Sequence, residues 1–213
     1  MPLARFWQFA HLSDATKNMG WVDLIPRAGN LYIGGLQALY QQPDLFKQAH
    51  ITHILSVIDY DIYELGQFPK EKYTHLMIRE DDEPNVNLLQ HFRRMCEFID
   101  GGLKGEGGGG GGGAVFVHCA MGKSRSATAC CAYLMWKFGV DATQALEQVC
   151  EGRPVCSPNP GFMEQLGIWR RMLKAEGGEA GAEAEGVYRE WERERFTGDW
   201  WTWDKRRRGE VKL

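Results

Sequence analysis

The sequence predicts an α/β fold in which helices pack on a central, mainly parallel sheet. Short, β-branched apolar runs alternate along the chain with longer segments of helical periodicity, which is the pattern of that fold class. Of the 213 residues, 44% are apolar, enough to bury one core. A change of composition after Lys174 divides the chain into a folded domain at 1–175 and a charged, tryptophan-rich tail at 176–213.

Four short apolar runs are the strand candidates. Each is bounded by polar residues or glycine, as expected for buried strands. The Gly34-Gly35 pair ends the first run and lets the chain turn. The predicted strands are Leu31–Ile33, Ile51–Val57, Tyr73–Ile78 and Ala114–Val117.

Five segments are predicted to contain helices. In Asn87–Ile99 the apolar residues recur at helical spacing, and Asn87 can cap the first turn. Pro43 suits the start of a second short helix within Leu36–His50. The remaining predicted helices are Arg125–Phe138, Asp141–Cys150 and Asn159–Lys174.

Two segments have unusual composition. Gly101–Gly113 contains ten glycines, so we expect a floppy insertion. The insertion enters the predicted strand Ala114–Val117 at the end opposite the residues that follow Val117, and we therefore expect it to have a neutral effect on function. Glu176–Gly186 is rich in Gly, Ala and Glu and predicts a flexible or weakly helical linker. The rest of the tail holds four of the eight tryptophans, which predicts docking on this domain or on a partner.

Charge and cysteine usage exclude several classes of protein. The net charge of −3 and pI near 6.1 favour neither direct DNA binding nor membrane binding. No apolar run is long enough to cross a bilayer, and Met1–Gly20 lacks the apolar stretch of a secretory signal. None of the six cysteines forms a Cys-x-x-Cys pair, so we expect reduced thiols, no metal and no cofactor. These features predict a monomer in the cytoplasm, the nucleus or both.

The chemistry is concentrated in Val115–Ser126, where an apolar strand runs into a tight loop and then a helix. A loop at a helix N-terminus directs several backbone N–H groups at one point, which binds phosphate and favours a cysteine thiolate. Cys119 and Arg125 bracket five residues, enough chain to wrap one phosphate, and a guanidinium can hold two of its oxygens. The predicted phosphate-binding residues are Ala120, Met121, Gly122, Lys123, Ser124 and Arg125.

The segment His118-Cys119-x5-Arg125-Ser126 resembles the signature loop of the protein tyrosine phosphatases. Downstream, Arg153-Pro154 followed by Pro158-Asn159 and Phe162 resembles the dual-specificity subtype. The first predicted strand pair also resembles that subtype. The resemblance extends from about Pro26 to Leu173 and implies a phosphatase-like fold for the domain at 1–175.

The resemblance also implies a role for each residue of the loop. Cys119 would attack phosphorus and form a phosphocysteine, and Arg125 would bind the phosphoryl group. The Ser126 hydroxyl would hydrogen-bond the departing sulfur. His118 would orient the loop, and Asn159 would support it from outside while also capping a helix.

A general acid is expected on the acidic loop Arg79–Pro84, after the third predicted strand. In the family an aspartate on this loop precedes a polar helix cap and an apolar residue. Matching Asn87-Leu88 to that pair selects Asp82, with Asp81 as the alternative.

Three functions remain open from the sequence. The first is a protein phosphatase with a shallow pocket that accepts phosphotyrosine and phosphoserine or phosphothreonine in a protein substrate. The second is a phosphatase for a phosphoinositide or a phosphorylated sugar, which Lys123 allows. A rhodanese-type sulfurtransferase is disfavoured by the phosphate-sized loop with Arg125 and by Asp82.

The third function is an interaction or assembly factor whose phosphatase activity is incidental. Val117–Leu173 resembles a fungal branch of the family that acts in assembly of the large ribosomal subunit, which implies a pre-ribosomal particle as partner. In that branch a cysteine-rich zinc domain follows the catalytic domain, and this sequence has no such cysteines. Either the chain is a truncated form or the narrower resemblance misleads.

Overall fold

The computed structural model describes residues 21–41, 43–65, 70–105, 112–175 and 182–210. Five strands form one sheet in the order β1-β2-β5-β3-β4. The two-residue β1 is antiparallel to β2, and all other neighbours are parallel, which confirms the predicted fold class. The strands are β1 Asp23–Leu24, β2 Leu31–Gly35, β3 His53–Val57, β4 Thr74–Ile78 and β5 Val115–Cys119.

Helices cover both faces of the sheet. Short 3₁₀ helices occur at Ile62–Leu65, Lys70–Lys72 and Leu89–His91. The α-helices within the described residues are α1 Gln37–Gln41, α2 Pro43–Gln48, α3 Phe92–Lys104, α4 Arg125–Phe138, α5 Ala142–Gly152, α6 Pro160–Ala175, α7 Ala182–Glu194 and α8 Trp200–Arg207.

The central strand β5 fixes the position of the candidate site. Every residue of β5 is buried, and it pairs with β2 from Leu31 opposite Val115 to Gly35 opposite Cys119. A strand enclosed on both faces requires a continuous apolar run, which Val115-Phe116-Val117 supplies. Cys119 therefore lies at the carboxyl edge of the sheet, where ligand sites of parallel sheets are found.

The core has a layer on each side of the sheet, because successive strand residues point to opposite faces. Val115 and Val117 pack with Phe92 and Trp169 beneath the long helices, and all four are buried. On the other face, Phe116 packs with an apolar group under α1 and α2. The buried members of that group are Ala38, Phe46, Ile51, Ile54, Ala114 and Phe116.

The glycine-rich segment begins differently from the prediction. The helix α3 continues through Gly101 and Gly102 to Lys104, and Gly105, at φ 79°, ends it. A Cβ on Gly102 would lie 2.7 Å from Cγ2 of Val115, so close packing explains why glycine is retained within the helix. Residues 106–111, the centre of the predicted insertion, lie outside the described residues.

Part of the tail forms helices that contact the preceding domain. Ala184 of α7 is buried, and Tyr188 and Trp191 pack on the main core. Arg171 of α6 pairs with Glu190 of α7 at 3.3 Å. The predicted linker is helical from Ala182, whereas 176–181, like the N-terminal segment 1–20, lies outside the described residues. The domain boundary at 175 stays a prediction.

Within the described ranges, no helix combines the length and the apolar character needed to cross a bilayer.

Candidate active site

The loop between β5 and α4 curls around the sulfur of Cys119. The Gly122 backbone N–H donates to Sγ at 3.2 Å, and Oγ of Ser126 lies 3.4 Å from the same sulfur. Gly122 has a φ of +68°, and a Cβ there would lie 2.3 Å from the carbonyl carbon of Gly34. The loop therefore needs glycine both for its backbone conformation and for its close approach to β2.

Arg153 fixes the loop from below, a role that sequence reasoning did not assign. Its Nε donates to the Gly122 carbonyl at 2.7 Å and its Nη2 to the Met121 carbonyl at 3.2 Å. Its Nη1 pairs with Asp23 of β1 at 2.5 Å, and only 5% of the Arg153 side chain is exposed. The Arg153-Pro154 pair of the dual-specificity pattern was the sequence feature that could have indicated this role.

Arg125 is buried at the start of α4 and is held by groups from two strand ends. Its Nη1 donates to Oδ1 of Asp59 at 3.1 Å and to the Glu80 carbonyl at 2.9 Å. Its Nε lies 3.8 Å from Oδ2 of Asp82 and has no hydrogen-bond acceptor among the described residues. Asp59 was not predicted, although its place just after β3 puts it at the same sheet edge as Cys119.

Asp82 is the acidic residue that the structure brings to the loop. Its Oδ1 accepts from Oγ of Ser124 at 2.6 Å and from Nδ2 of Asn159 at 2.9 Å. Asp81 is exposed, and its Oδ1 accepts from the adjacent Asp82 N–H at 2.7 Å. Asn159 also receives the Phe162 N–H at 2.9 Å, so one side chain both caps α6 and contacts the acid.

His118 makes its contacts behind the loop. Its Nε2 lies 2.5 Å from Oγ of Ser56, which lies 2.7 Å from Nε2 of His75. The hydroxyl of Tyr63 in turn contacts Nδ1 of His75. Burial lowers the pKa of His118 to about 3, so the ring is neutral at physiological pH.

The outer rim of the loop is open. The side chains of Met121 and Lys123 are exposed, and Ala120 is half-buried. Tyr60 stands beside Asp59, and burial, followed by the nearby carboxylate, raises its pKa to about 12. The predicted residues thus gather at one sheet edge, with Cys119, Arg125, Ser126 and Asp82 around the loop, Asn159 beside it and His118 beneath it.

Comparison with known proteins identifies the family. The family model described as dual specificity phosphatase, catalytic domain, matches residues 31–172, which is most of the chain.

The chain belongs to the dual-specificity phosphatase family.

Its relatives within this family include plant and fungal proteins. Dual specificity protein phosphatase 1 of Arabidopsis thaliana is 38% identical over 136 residues, 64% of this chain and 63% of the relative. Tyrosine-protein phosphatase YVH1 of Saccharomyces cerevisiae is 33% identical over 160 residues, 68% of this chain but 42% of the relative. The matched part of the chain therefore spans less than two thirds of the length of either relative.

Solved structures of the family agree with the fold described above. The Yvh1 phosphatase domain from Chaetomium thermophilum has a TM-score of 0.64 and 37% identity, covering 76% of this chain and 99% of that one. Human DUSP28 has a TM-score of 0.63 and 28% identity, covering 73% of this chain and 97% of that one. The predicted membership of the family is confirmed.

Proposed function

We propose that the chain hydrolyses phosphotyrosine and phosphoserine or phosphothreonine in proteins through a phosphocysteine on Cys119. The observation that carries this proposal is the arrangement of the loop that runs from Cys119 to Arg125. Cys119 Sγ accepts a hydrogen bond from the Gly122 N–H in the loop, and the Nε of buried Arg125 has no hydrogen-bond acceptor among the described residues. An unpaired buried donor costs about 1–3 kcal/mol, and a phosphate oxygen would satisfy it.

In the first step the Cys119 thiolate attacks phosphorus. The S–P bond forms as the bond to the leaving oxygen breaks, and Asp82, when protonated, gives its proton to that oxygen. Arg125 and the loop N–H groups hold the three remaining oxygens, where charge is greatest in the transition state. The contacts of Asp59 and the Glu80 carbonyl to Nη1 keep the guanidinium oriented for this role.

In the second step a water molecule attacks the phosphocysteine. The Asp82 carboxylate takes a proton from the water, the S–P bond breaks, and the thiolate and inorganic phosphate are released. Ser126, with Oγ 3.4 Å from Sγ, donates a hydrogen bond to the sulfur as its charge returns. One aspartate thus serves both steps, as acid and then as base.

The open rim supports protein substrates with more than one type of phosphorylated residue. Exposed Met121 and half-buried Ala120 form the outer surface of the loop. An open rim of this kind would admit phosphoserine and phosphothreonine as well as the longer phosphotyrosine. Exposed Lys123 would attract acidic groups beside the phosphate. The same lysine is the feature that a lipid or sugar phosphate would use.

The test is phosphate release by the purified chain from matched peptides carrying phosphotyrosine or phosphothreonine, and from a soluble phosphoinositide. We expect release from both peptides and none above background from Cys119→Ser, because serine lacks a thiolate. Release from the phosphoinositide alone would overturn the choice of substrate. Equal release by the wild type and Cys119→Ser would overturn the proposed chemistry.

A second candidate function is assembly of the large ribosomal subunit, with a pre-ribosomal particle as partner and a location in the nucleus, the cytoplasm or both. Its support is the resemblance of Val117–Leu173 to the fungal branch, together with the similarity to the Chaetomium thermophilum Yvh1 domain. Such a role would be compatible with the phosphatase chemistry proposed above.

A further inference from the structure

The segment that carries Asp82 is held from two sides. We call residues 79–88, between β4 and the 3₁₀ helix at Leu89–His91, the acid loop. On one side Asp82 contacts Ser124 and Asn159 of the phosphate site. On the other side the acid loop packs against α6 and α7, so its position depends on those helices.

The helix α6 supports the acid loop through close backbone packing. A Cβ on Gly161 would lie 1.9 Å from the Pro84 carbonyl oxygen, so the two segments are in direct contact. Gln165, which is 2% exposed, donates to the Val86 carbonyl at 2.7 Å and accepts the Leu89 N–H at 2.8 Å. These contacts fix the end of the acid loop that follows Asp82.

The helix α7 and the residues after it add a second set of contacts. Arg195 Nη1 donates to the Asn85 carbonyl at 3.0 Å, three residues after Asp82, and Nδ2 of Asn85 donates to the Gly198 carbonyl. Asn87 Nδ2 donates to the Tyr188 hydroxyl at 2.9 Å and to Glu192 Oε1 at 3.1 Å. The four residues that make these contacts to Asn85 and Asn87 all lie after residue 172, where the match to the family ends. They are Tyr188, Glu192, Arg195 and Gly198.

The guanidinium of Arg195 is itself kept in place by a tryptophan. Its Cζ lies 5.7 Å from the ring centre of Trp191, within the range of a cation–π interaction. The Trp191 indole N–H donates to Oε1 of Glu164 on α6 at 3.3 Å. One tail tryptophan thus connects the acid loop, α6 and α7.

We propose that residues 182–198 act as a positioning element for the acid loop, with Arg195 as its principal residue. The inference rests on the proposed phosphatase function and assigns a positioning role to a segment that lies outside the match to the family. A general acid works only within hydrogen-bond reach of the leaving oxygen, and a displacement of about 1 Å can cost roughly 10²-fold in rate. Loss of the Arg195 side chain removes one of the contacts that hold Asn85, while the contacts to α6 remain, so we expect a small displacement of Asp82.

The test compares kcat/KM of wild type and Arg195→Ala on substituted phenyl phosphates whose leaving groups range from nitrophenol to phenol. A misplaced acid matters most for the poorest leaving group. We therefore expect a drop of about 10-fold with phenyl phosphate and under about twofold with nitrophenyl phosphate. Arg193→Ala is the matched control, because Arg193 is an exposed arginine of α7 whose guanidinium pairs with the adjacent Glu194. It should retain the wild-type dependence on the leaving group.

The same substitution in an Asp82→Asn background separates positioning from general damage. If Arg195 acts through Asp82, the double variant has the kcat/KM of Asp82→Asn alone, because there is no acid left to misplace. A further loss in the double variant, or an equal loss for every leaving group in Arg195→Ala, would overturn the proposal. So would an unchanged dependence on the leaving group.

Tyr188→Phe provides a milder variant that removes only the hydroxyl bound by Asn87. This variant should show the same selective loss of kcat/KM with phenyl phosphate but a smaller one, and its melting temperature should be unchanged. Failure of this inference is distinct from failure of the proposed function. If wild type releases phosphate and Cys119→Ser does not, while Arg195→Ala and Tyr188→Phe behave as wild type, only the positioning role is wrong.

Discussion

At the level of single residues, two buried arginines, Arg125 and Arg153, have different roles at the loop that follows Cys119. In the proposed mechanism Arg125 binds the phosphoryl group, whereas Arg153 donates to two loop carbonyls and pairs with Asp23. Breaking a buried ion pair by removing one partner costs about 3–5 kcal/mol, since the other charge is left uncompensated. Arg153 therefore stabilises the shape of the loop, and the proposed mechanism leaves substrate binding to Arg125.

His118 links the loop to the pH dependence of stability. Its pKa is lowered from the usual 6.5 to about 3, so between these values the unfolded chain binds a proton that the folded chain does not. The contribution of His118 to stability is complete above pH 6.5 and is lost as the pH falls toward 3. Within that window the free energy of unfolding changes by about 1.4 kcal/mol per pH unit.

We expect His118→Gln to remove this component. Urea unfolding of the wild type and the variant at a series of pH values between about 4 and 6 measures it, and the stability of the variant should fall less steeply as the pH is lowered. If the free energy of unfolding depended on pH equally in the two proteins, the pKa of His118 would not be lowered in the folded state.

At the level of elements, the first turn of α6 is shaped by its contact with the acid loop. Asn159 caps the helix and contacts Asp82, and Gly161 lies against the Pro84 carbonyl. The sequence indicated the cap through Asn159. It could not indicate the need for glycine at 161, because the neighbour that excludes a side chain lies far earlier in the chain.

Gly161 and Gly167, both within α6, form a matched pair for this contact. A Cβ at Gly161 would lie 2.5 Å from the Pro84 carbonyl carbon, whereas none of the neighbouring atoms described lies within 4 Å of one at Gly167. We expect Gly161→Ala to lower the free energy of unfolding by about 1–3 kcal/mol and to reduce turnover, because the acid loop must move. Gly167→Ala should raise the free energy of unfolding by up to about 1 kcal/mol.

Urea unfolding and kcat/KM on phenyl phosphate measure both effects. Wild-type stability and turnover in Gly161→Ala would contradict the close packing of α6 on the acid loop.

At the level of the whole molecule, a dual-specificity phosphatase domain continues into helices that contact its own acid loop. The alternation of strands and helices was sufficient to predict the parallel sheet, and the signature residues were sufficient to predict the family. The pairing of Asp23 with Arg153 joins residues 130 positions apart, and the contact of Arg195 with Asn85 joins residues 110 apart. Patterns of neighbouring residues in the sequence cannot predict contacts between residues so far apart.

The extension of α3 shows the same limit for a helix. Glycine disfavours helix formation, so the sequence predicted a loop from Gly101. In the structure the helix lies so close to β5 that a Cβ at Gly102 would be 2.7 Å from Val115 Cγ2, and this contact between distant residues is not visible in the local sequence.

The proposed mechanism requires a covalent phosphate on Cys119, and trapping this intermediate tests the mechanism directly. Nitrophenyl phosphate should phosphorylate Asp82→Asn readily, because its leaving group needs little help from an acid, whereas hydrolysis lacks its base. Rapid acid quenching followed by mass spectrometry of the peptide carrying Cys119 should find the phosphate on sulfur, at a higher level than in the wild type. Asp81→Asn, the matched control, should resemble the wild type, and Cys119→Ser should carry no phosphate. Turnover of substrate with no phosphate on Cys119, or with phosphate on another residue, would contradict the proposed mechanism.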